Sequence, residues 1–420
     1  MESEPPYLPR VVDAELRLRL QSVGAVVVEG PKACGKTATA RRVAGSEVLL
    51  DVDDAMRSAA RVAPELVLAG PVPRLIGEWQ VEPALWNHVR RAVDDRGKPG
   101  QFILTGSAVP ADDITRHTGA GRLSRMRMRP LSLFESGHST GAVPLSALLQ
   151  GEMASVSDPG HGLQAIAERI VVGGWPLSLR MPVHAAMRAA RDYLDEARRV
   201  DLPRLDGGRR DPDRVGRVLA SLARNVATTV SAAVLATDTG GAEGPIKDDT
   251  VREYLTALER LMILEDQPAW APHLRSRSIL RTSPKRHFVD PSLAVAALRG
   301  TSDGLLRDLR WMGFLFESLV VRDLRVYAQA NDGVVRHYRD NTGLEVDIIV
   351  ETGDGHWAAF EVKLGHSQVD AAAEQLKKFA ERVDTGVCGE PAMLGVIVAT
   401  GPGYRRPDGV AVVPVGALGP

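Results

Sequence analysis

Residues 30–37 read GPKACGKT, and this octet decides the fold of the first third of the chain. It fits G-x-x-x-x-G-K-[ST], with Gly30, Gly35, Lys36 and Thr37 at the defined positions. The apolar run AVVVEG (25–30) leads into it with strand character, and KTATARRVA follows with helical spacing. In such a context glycines let the backbone turn so that its N–H groups converge on phosphate oxygens. The helix start adds partial positive charge. Lys36 is expected to reach the β and γ phosphates of ATP, and the Thr37 hydroxyl to ligate Mg²⁺. A chance glycine-rich turn would lack both flanks. Cys34 reads more simply as a small residue that fits the loop than as a redox-sensitive thiol.

Working outward, EVLLDVDD (47–54), RLIGEWQ (74–80) and QFILTGS (101–107) are further buried strands separated by amphipathic helical stretches. That alternation predicts an α/β fold with a parallel sheet. RLIGEWQ places Glu78 where a water-activating base is expected. Gly77 stands where a second acid would anchor the outer shell of Mg²⁺, so binding should survive while hydrolysis is slow or needs more Mg²⁺. Thr105 and Ser107, at a strand end, either sense the γ-phosphate or are satisfied turn hydroxyls. Asp51, Asp53 and Asp54 read as turn and cap residues, one of which could supplement the metal shell. Arg122 follows a flexible Gly119-Ala-Gly121 and is a candidate arginine finger; a solvated surface is the alternative for it and for Arg125, Arg127 and Arg129. Arg127 and Arg129 alternate with Met126 and Met128, as on a half-exposed strand.

The 420 residues exceed one ordinary core. The 52 basic and 53 acidic residues nearly cancel, so net charge argues for neither nucleic acid nor membrane. Two cysteines, Cys34 and Cys388, exclude a disulfide framework and fit a reducing cytoplasm. The acidic start, MESEPPYLPRVVDAELRLRL, lacks an apolar signal core, and no run approaches the roughly 20 residues that span a bilayer. A cytoplasmic protein without a membrane partner is expected, and abundant Ala, Arg and Gly suggest a GC-rich bacterial genome.

Four segments follow from the pattern. Residues 1–140 hold the phosphate-loop domain. Residues 141–204 form a helical lid or linker, with Gly173-Gly174-Trp175-Pro176 turning between two helices. In 205–300, three helices and a β-like pair suggest a winged-helix module, the third helix capped within Asp248-Asp249-Thr250. Residues 301–420 begin with one long helix, LLRDLRWMGFLFESLVVRDLRVYA. Strands VVRHYRD, LEVDIIVE and WAAFEVKLG, a helix and a last strand, MLGVIVAT, complete a second α/β unit. RSRSILRTSPKRH (275–287) has six basic residues and no acid; it suits either a DNA-binding wing or a solvated hairpin.

The runs YLPRVVDAEL, EGPKACGKTATARRVA, LIGEWQVEPALWNHVRRAVDDRG, GQFILTGSA, GAGRLSRMRMRPLSLFESG, GGWP, YLDEARRVDL, HFVDPSLA and EVDIIVE–FEVKLG, in this order, resemble one prokaryotic group. These are the AAA-family ATP-binding proteins with a C-terminal domain of unknown function, and the resemblance covers nearly the whole chain. It implies an AAA-type P-loop domain, a helical and winged-helix middle, and a C-terminal unit similar to restriction-endonuclease-fold nucleases. The group usually has Leu-Ile-Asp-Glu-Trp-Gln where this chain has Gly77 as the third residue. Many AAA relatives form rings with a finger arginine acting in trans; a homo-oligomer, a dimer and a monomer all remain open.

In the C-terminal segment, Asp347 lies in LEVDIIVE, and Glu361 and Lys363 lie in FEVKLG. A strand period of two puts Glu361 and Lys363 on one face, and hairpin pairing would bring Asp347 to Glu361. Two carboxylates so placed can hold Mg²⁺ while Lys363 activates hydrolytic water. Glu317, an acid amid GFLFESLVV, needs a metal or lysine partner, and Gln375 can reach the same site. This matches the D…ExK pattern of PD-(D/E)XK nucleases; a surface ion pair is the plainer alternative. Beside the blander reading of a chaperone-like remodeller working on protein partners, two functions are expected. One is an ATPase whose nucleotide state controls a Mg²⁺-dependent nuclease on DNA. The other is a nucleotide-gated regulatory or DNA-binding protein whose nuclease-fold domain is inert.

Overall fold

Val26, Val27 and Val28 are fully buried, as a strand with neighbours on both edges and layers on both faces requires. The computed structural model describes residues 6–107, 118–206, 211–241, 244–272 and 283–420. Its contacts form two units, Met1–Pro130 with Asp201–Arg209 and Ala257–Ile263, and Leu131–Val200 with Arg210–Thr256 and Leu264–Pro420. Among the described residues no helix is long and apolar enough to cross a membrane.

The first unit carries strands β1 (Ala25–Glu29), β2 (Ser46–Leu49), β3 (Arg74–Gly77), β4 (Phe102–Gly106) and β5 (Leu123–Arg127). All pair in parallel, in the order β2-β3-β4-β1-β5. The parallel α/β sheet expected from the alternation is thus present. Helices Lys36–Arg41, Asp54–Val62 and Leu85–Arg96 follow β1, β2 and β3. Trp79 and Trp86, with ring centroids 5.2 Å apart, help fill the core beside the sheet. Parallel pairing brings the ends of β1, β3 and β4 to one sheet edge, where loops gather. The strand in RLIGEWQ stops at Gly77; Glu78 is left-handed (φ 51°) and a short 3₁₀ turn follows.

In the second unit, β6 (Val143–Pro144) precedes helices Leu163–Val172 and Val183–Glu196, with the GGWP turn between them. Helices Pro212–Arg224, Ala232–Gly240 and Asp248–Arg260, the last in this unit as far as Thr256, precede two antiparallel bridges, Leu264 with Phe288 and Gln267 with Lys285. The long helix expected from 301 is two, Ser302–Arg307 and Leu309–Ala330. Asp308 interrupts it because its carboxylate accepts from Trp311 N at 3.0 Å, starting a new helix. Strands β7 (Gly333–Arg339), β8 (Glu345–Thr352) and β9 (Trp357–Lys363) form an antiparallel meander. Helix Val369–Arg382 leads to β10 (Met393–Val398), parallel to β9.

MLGVIVAT is not the last strand. β11 (Tyr404–Arg405), β12 (Ala411–Pro414) and β13 (Leu418–Gly419) follow. The sheet order is β11-β12-β10-β9-β8-β7, while β13 pairs with β6. Strands of two to four residues are too short to show a period. The β6–β13 pair and a bridge from Ala269 to His337 explain why segments expected as lid, winged-helix module and C-terminal domain largely share one unit.

A buried ion cluster fastens this unit. Arg322 Nη1 donates to Asp290 at 2.8 Å, and its Nη2 donates to Asp323 at 2.7 Å. Asp290 also accepts from Gly174 N, and Asp323 from Leu133 N. Removing one member of such a cluster leaves an uncompensated buried charge, at about 3–5 kcal/mol. Arg322→Ala should therefore lower the urea-unfolding midpoint of the chain markedly. Arg188→Ala, which breaks an exposed pair with Asp192, should leave it unchanged. Equal midpoints for the two variants would contradict the assignment.

Candidate functional site

The phosphate-loop octet turns with Ala33 (φ 62°) and Gly35 (φ 102°) in the left-handed region. Gly30 is required by space, because an added Cβ would lie 2.3 Å from Met128 O. Lys36 is buried and donates to Gly30 O at 3.0 Å and Pro31 O at 2.8 Å. An ammonium has three donors, so one remains for a phosphate oxygen. Thr37 is half-buried on the first turn of the helix that follows.

At the same sheet edge, Glu78 Oε2 accepts from Ser107 Oγ at 3.0 Å and from Gln80 Nε2 at 2.5 Å. Buried Thr105 Oγ1 and Gln80 Oε1 have no hydrogen-bond partner among the described residues. A glycine cradle, a lysine and polar atoms awaiting partners fit a nucleotide with Mg²⁺. Arg122 instead donates to Asp94 at 2.8 Å on the surface. Arg125 pairs with Glu29, its guanidinium 5.1 Å over the Trp86 ring. Asp53 caps the helix Asp54–Val62 through Met56 N, and Asp54 pairs with Arg57.

The second constellation gathers in a cleft of about 370 Å³. The β8–β9 register, Ile348 opposite Phe360, brings Asp347 beside Glu361 and Lys363. Asp347 Oδ2 accepts from Val362 N at 3.0 Å and lies 3.5 Å from Lys363 Nζ. Lys363 Nζ is 2.6 Å from Glu361, whose other oxygen lies 3.3 Å from Gln375 Nε2.

The residue missed from sequence is Lys285. It is fully buried, with Nζ 2.7 Å from Glu317, 3.0 Å from Glu345 and 3.1 Å from Asp347. Of the residues expected to hold a metal, Glu317 and Asp347 thus have an ammonium between them. Among the described residues no group of three or more His, Cys, Asp or Glu is arranged to hold a metal ion.

The basic run 275–287 is corrected in its described part as well; residues 275–282 lie outside the described residues. Lys285 is internal, Arg286 pairs with Asp266, and buried His287 contacts Ser318 and Gln267 at 3.1 Å each. The alternation of Lys285 and His287 about Arg286, a strand period, was the available signal.

Burial pushes the Lys285 ammonium down, but the charges of Glu317, Asp347 and Glu345 outweigh it, holding the pKa well above the ordinary value. Burial, then the Asp347 charge, pushes Glu317 and Glu361 up to about 8. Against its own burial, Asp347 is held well below the usual carboxylate range by Lys285 and Lys363. Two ammonium ions face the charges of Asp347 and Glu345 and two proton-holding carboxyls, which brings the cluster towards neutrality.

Residues 22–136 match the family model described as an AAA domain. The chain therefore carries an AAA-type ATPase domain. Residues 163–304 and 312–418 match two families described as domains of unknown function, DUF8612 and DUF4143. No curated protein matches the chain. Among solved structures, the Walker-type ATPase PABY2304 of Pyrococcus abyssi is 12% identical, covering 70% of this chain and 99% of its own, with a TM-score of 0.44. The Aeropyrum pernix ORC1 protein, solved in complex with DNA, is 16% identical, covering 73% and 97%, with a TM-score of 0.26. At such scores neither bears on function.

The cluster sets a pH dependence. Unfolded glutamate loses its proton near 4.5, whereas folded Glu317 and Glu361 keep theirs to about 8. Stability therefore falls as pH rises between those values, by up to about 1.4 kcal/mol per pH unit for each carboxyl. Burial lowers His138, His287 and His337 from 6.5, so their terms rise with pH up to 6.5. Urea midpoints should peak near pH 6.5 and decline towards pH 8. Glu361→Gln should flatten the alkaline decline and steepen the acid rise; an unchanged decline would refute the assignment.

Proposed function

We propose that the chain is an ATP-hydrolysing switch whose C-terminal domain has a nuclease-like fold but does not cut DNA. The observation that carries this reading is Lys285, whose ammonium takes the place among Glu317, Glu345 and Asp347 that a catalytic cation would need. A buried ammonium with three carboxylate partners is costly to withdraw.

In the ATPase reaction, loop N–H groups and Lys36 bind the phosphates, and the Thr37 hydroxyl would hold Mg²⁺, which would supply neutralisation of phosphate charge. Glu78 accepts the proton of the attacking water. Ser107 and Gln80 fix its carboxylate by donating to Oε2. Gly77 contributes no acid to the metal's outer shell, so turnover is slow and demands more Mg²⁺.

A second reading, a Mg²⁺-dependent DNA nuclease governed by nucleotide, draws support from the convergence of Asp347, Glu361 and Lys363. Plasmid DNA incubated with the full chain, Mg²⁺ or Mn²⁺, and ATP or ADP separates the two. Intact plasmid in every lane is expected; nicking that disappears in Asp347→Ala would replace the first reading with the second.

For the ATPase, Glu78→Gln should lower kcat by about 10²–10⁴-fold. Gly77→Asp should raise turnover at low Mg²⁺. A Cβ there comes 2.5 Å from Leu49 Cδ2, a side-chain tip that can swing aside. Equal rates in wild type and both variants would remove β3 from the catalytic machinery.

A further inference from the structure

Ahead of the first helix (Val12–Ser22), residues 7–10 read YLPR and lie against the phosphate loop. Tyr7 OH donates to Asp13 at 2.6 Å and is 2.9 Å from Thr39 Oγ1, on the helix that follows the loop. The Arg42 guanidinium sits 5.5 Å over the Tyr7 ring, and Arg10 N donates to Asp13 at 3.0 Å. Arg10 itself is buried, 7% exposed. Its Nη1 donates to Cys34 O inside the loop at 2.8 Å, and its Nη2 donates to Arg129 O at 2.7 Å. Arg129 follows Met128, whose N–H donates to Glu29 O at 2.7 Å, so the second anchor belongs to the sheet edge beside β1.

From this geometry we infer that Arg10 is a positioning residue for nucleotide binding, acting through the Cys34–Gly35 peptide. A trans peptide is planar, and its C=O and N–H point in opposite directions. Holding the Cys34 carbonyl on a guanidinium therefore turns the Gly35 N–H away from Arg10. The left-handed residues Ala33 and Gly35 give the loop the alternating backbone in which successive N–H groups form an anion-binding concavity. A left-handed alanine is strained, so the conformation needs outside restraint. Lys36 restrains the start of the loop through Gly30 O and Pro31 O, and Arg10 restrains its far end. A charged donor makes that restraint stronger than a neutral one would.

The inference rests on reading 30–37 as a nucleotide-phosphate loop, and one set of measurements tests both. Kd values for Mg·ATP and Mg·ADP are measured by calorimetry on the full chain as wild type, Lys36→Ala, Arg10→Met and Arg10→Lys. Melting without nucleotide and kcat at saturating ATP are recorded alongside. Arg10→Met should weaken ATP and ADP alike by about tenfold or more, the equivalent of a lost charge-assisted bond, while kcat changes little. Arg10→Lys keeps the charge but lacks the planar fork that spans the Cys34 and Arg129 carbonyls, and should recover part of the affinity. Wild-type Kd values in Arg10→Lys and Arg10→Met overturn the inference, as does a loss confined to ATP. If Arg10→Met does not fold, Arg10→Lys decides: weaker binding of both nucleotides supports the inference, and wild-type binding refutes it. A wild-type chain that binds neither nucleotide, or a Lys36→Ala that binds both normally, refutes the loop reading itself.

Discussion

A guanidinium without water needs carboxylates, and Arg322 finds two. Asp290 and Asp323 neutralise it, and each carboxylate also accepts from a backbone N–H, of Gly174 and Leu133. Four stretches distant in sequence are thereby fixed to one point: LSLFES, GGWP, VDPS and the middle of the helix Leu309–Ala330. Gly173 has no alternative there. It has a φ of 71°, and a Cβ would fall 2.4 Å from Asp290 Oδ1 and from Ser292 Oγ. Trp175 Nε1 completes the joint by donating to Ser292 Oγ at 3.0 Å. A fully satisfied polar network of this kind tolerates few alternative packings, because every shifted member strands a charge.

The cluster in the cleft follows the same electrostatic rule with a different outcome. Four carboxylates and two lysines crowd a space of about 370 Å³, and the charges are balanced by holding protons on Glu317 and Glu361. The balance is internal to the protein. Gln267 helps to hold it in register, because its side-chain amide donates to Arg336 O at 2.8 Å and to Asp347 O at 3.0 Å. Lys285 is thus carried into the cluster by a bridged strand segment that is itself bonded to β7 and β8.

The legible parts of the sequence were those where one residue type answers to one constraint. Runs such as AVVVE and FILT announce strands buried on both faces, and GPKACGKT announces a phosphate loop. The step of two between Glu361 and Lys363, with the fourteen-residue offset of Asp347, suited a hairpin, and the three side chains meet. Lys285 was missed because its neighbours Arg286 and His287 make a basic patch in one dimension, which masked the period of two that sets Lys285 and His287 on one face. Arg10 gave no signal, because its partners are backbone carbonyls and backbone has no sequence identity. The short strands β11, β12 and β13 failed for want of length.

The pairing of β13 with β6 bears on the order of events at the ribosome. Ser139 Oγ donates to Leu418 O at 2.6 Å, Thr140 N to Gly416 O at 2.8 Å, and Gly419 packs on Gly141 too closely for any side chain. Every strand of the nucleotide-binding sheet has been translated once Arg127 is added. β6, by contrast, pairs among the described residues with β13 alone and so waits for Gly419. Until Leu418 and Gly419 are made, then, the second unit has an open seam beside Val143. A chain cut before Leu418 keeps its phosphate loop intact but leaves that seam unsealed.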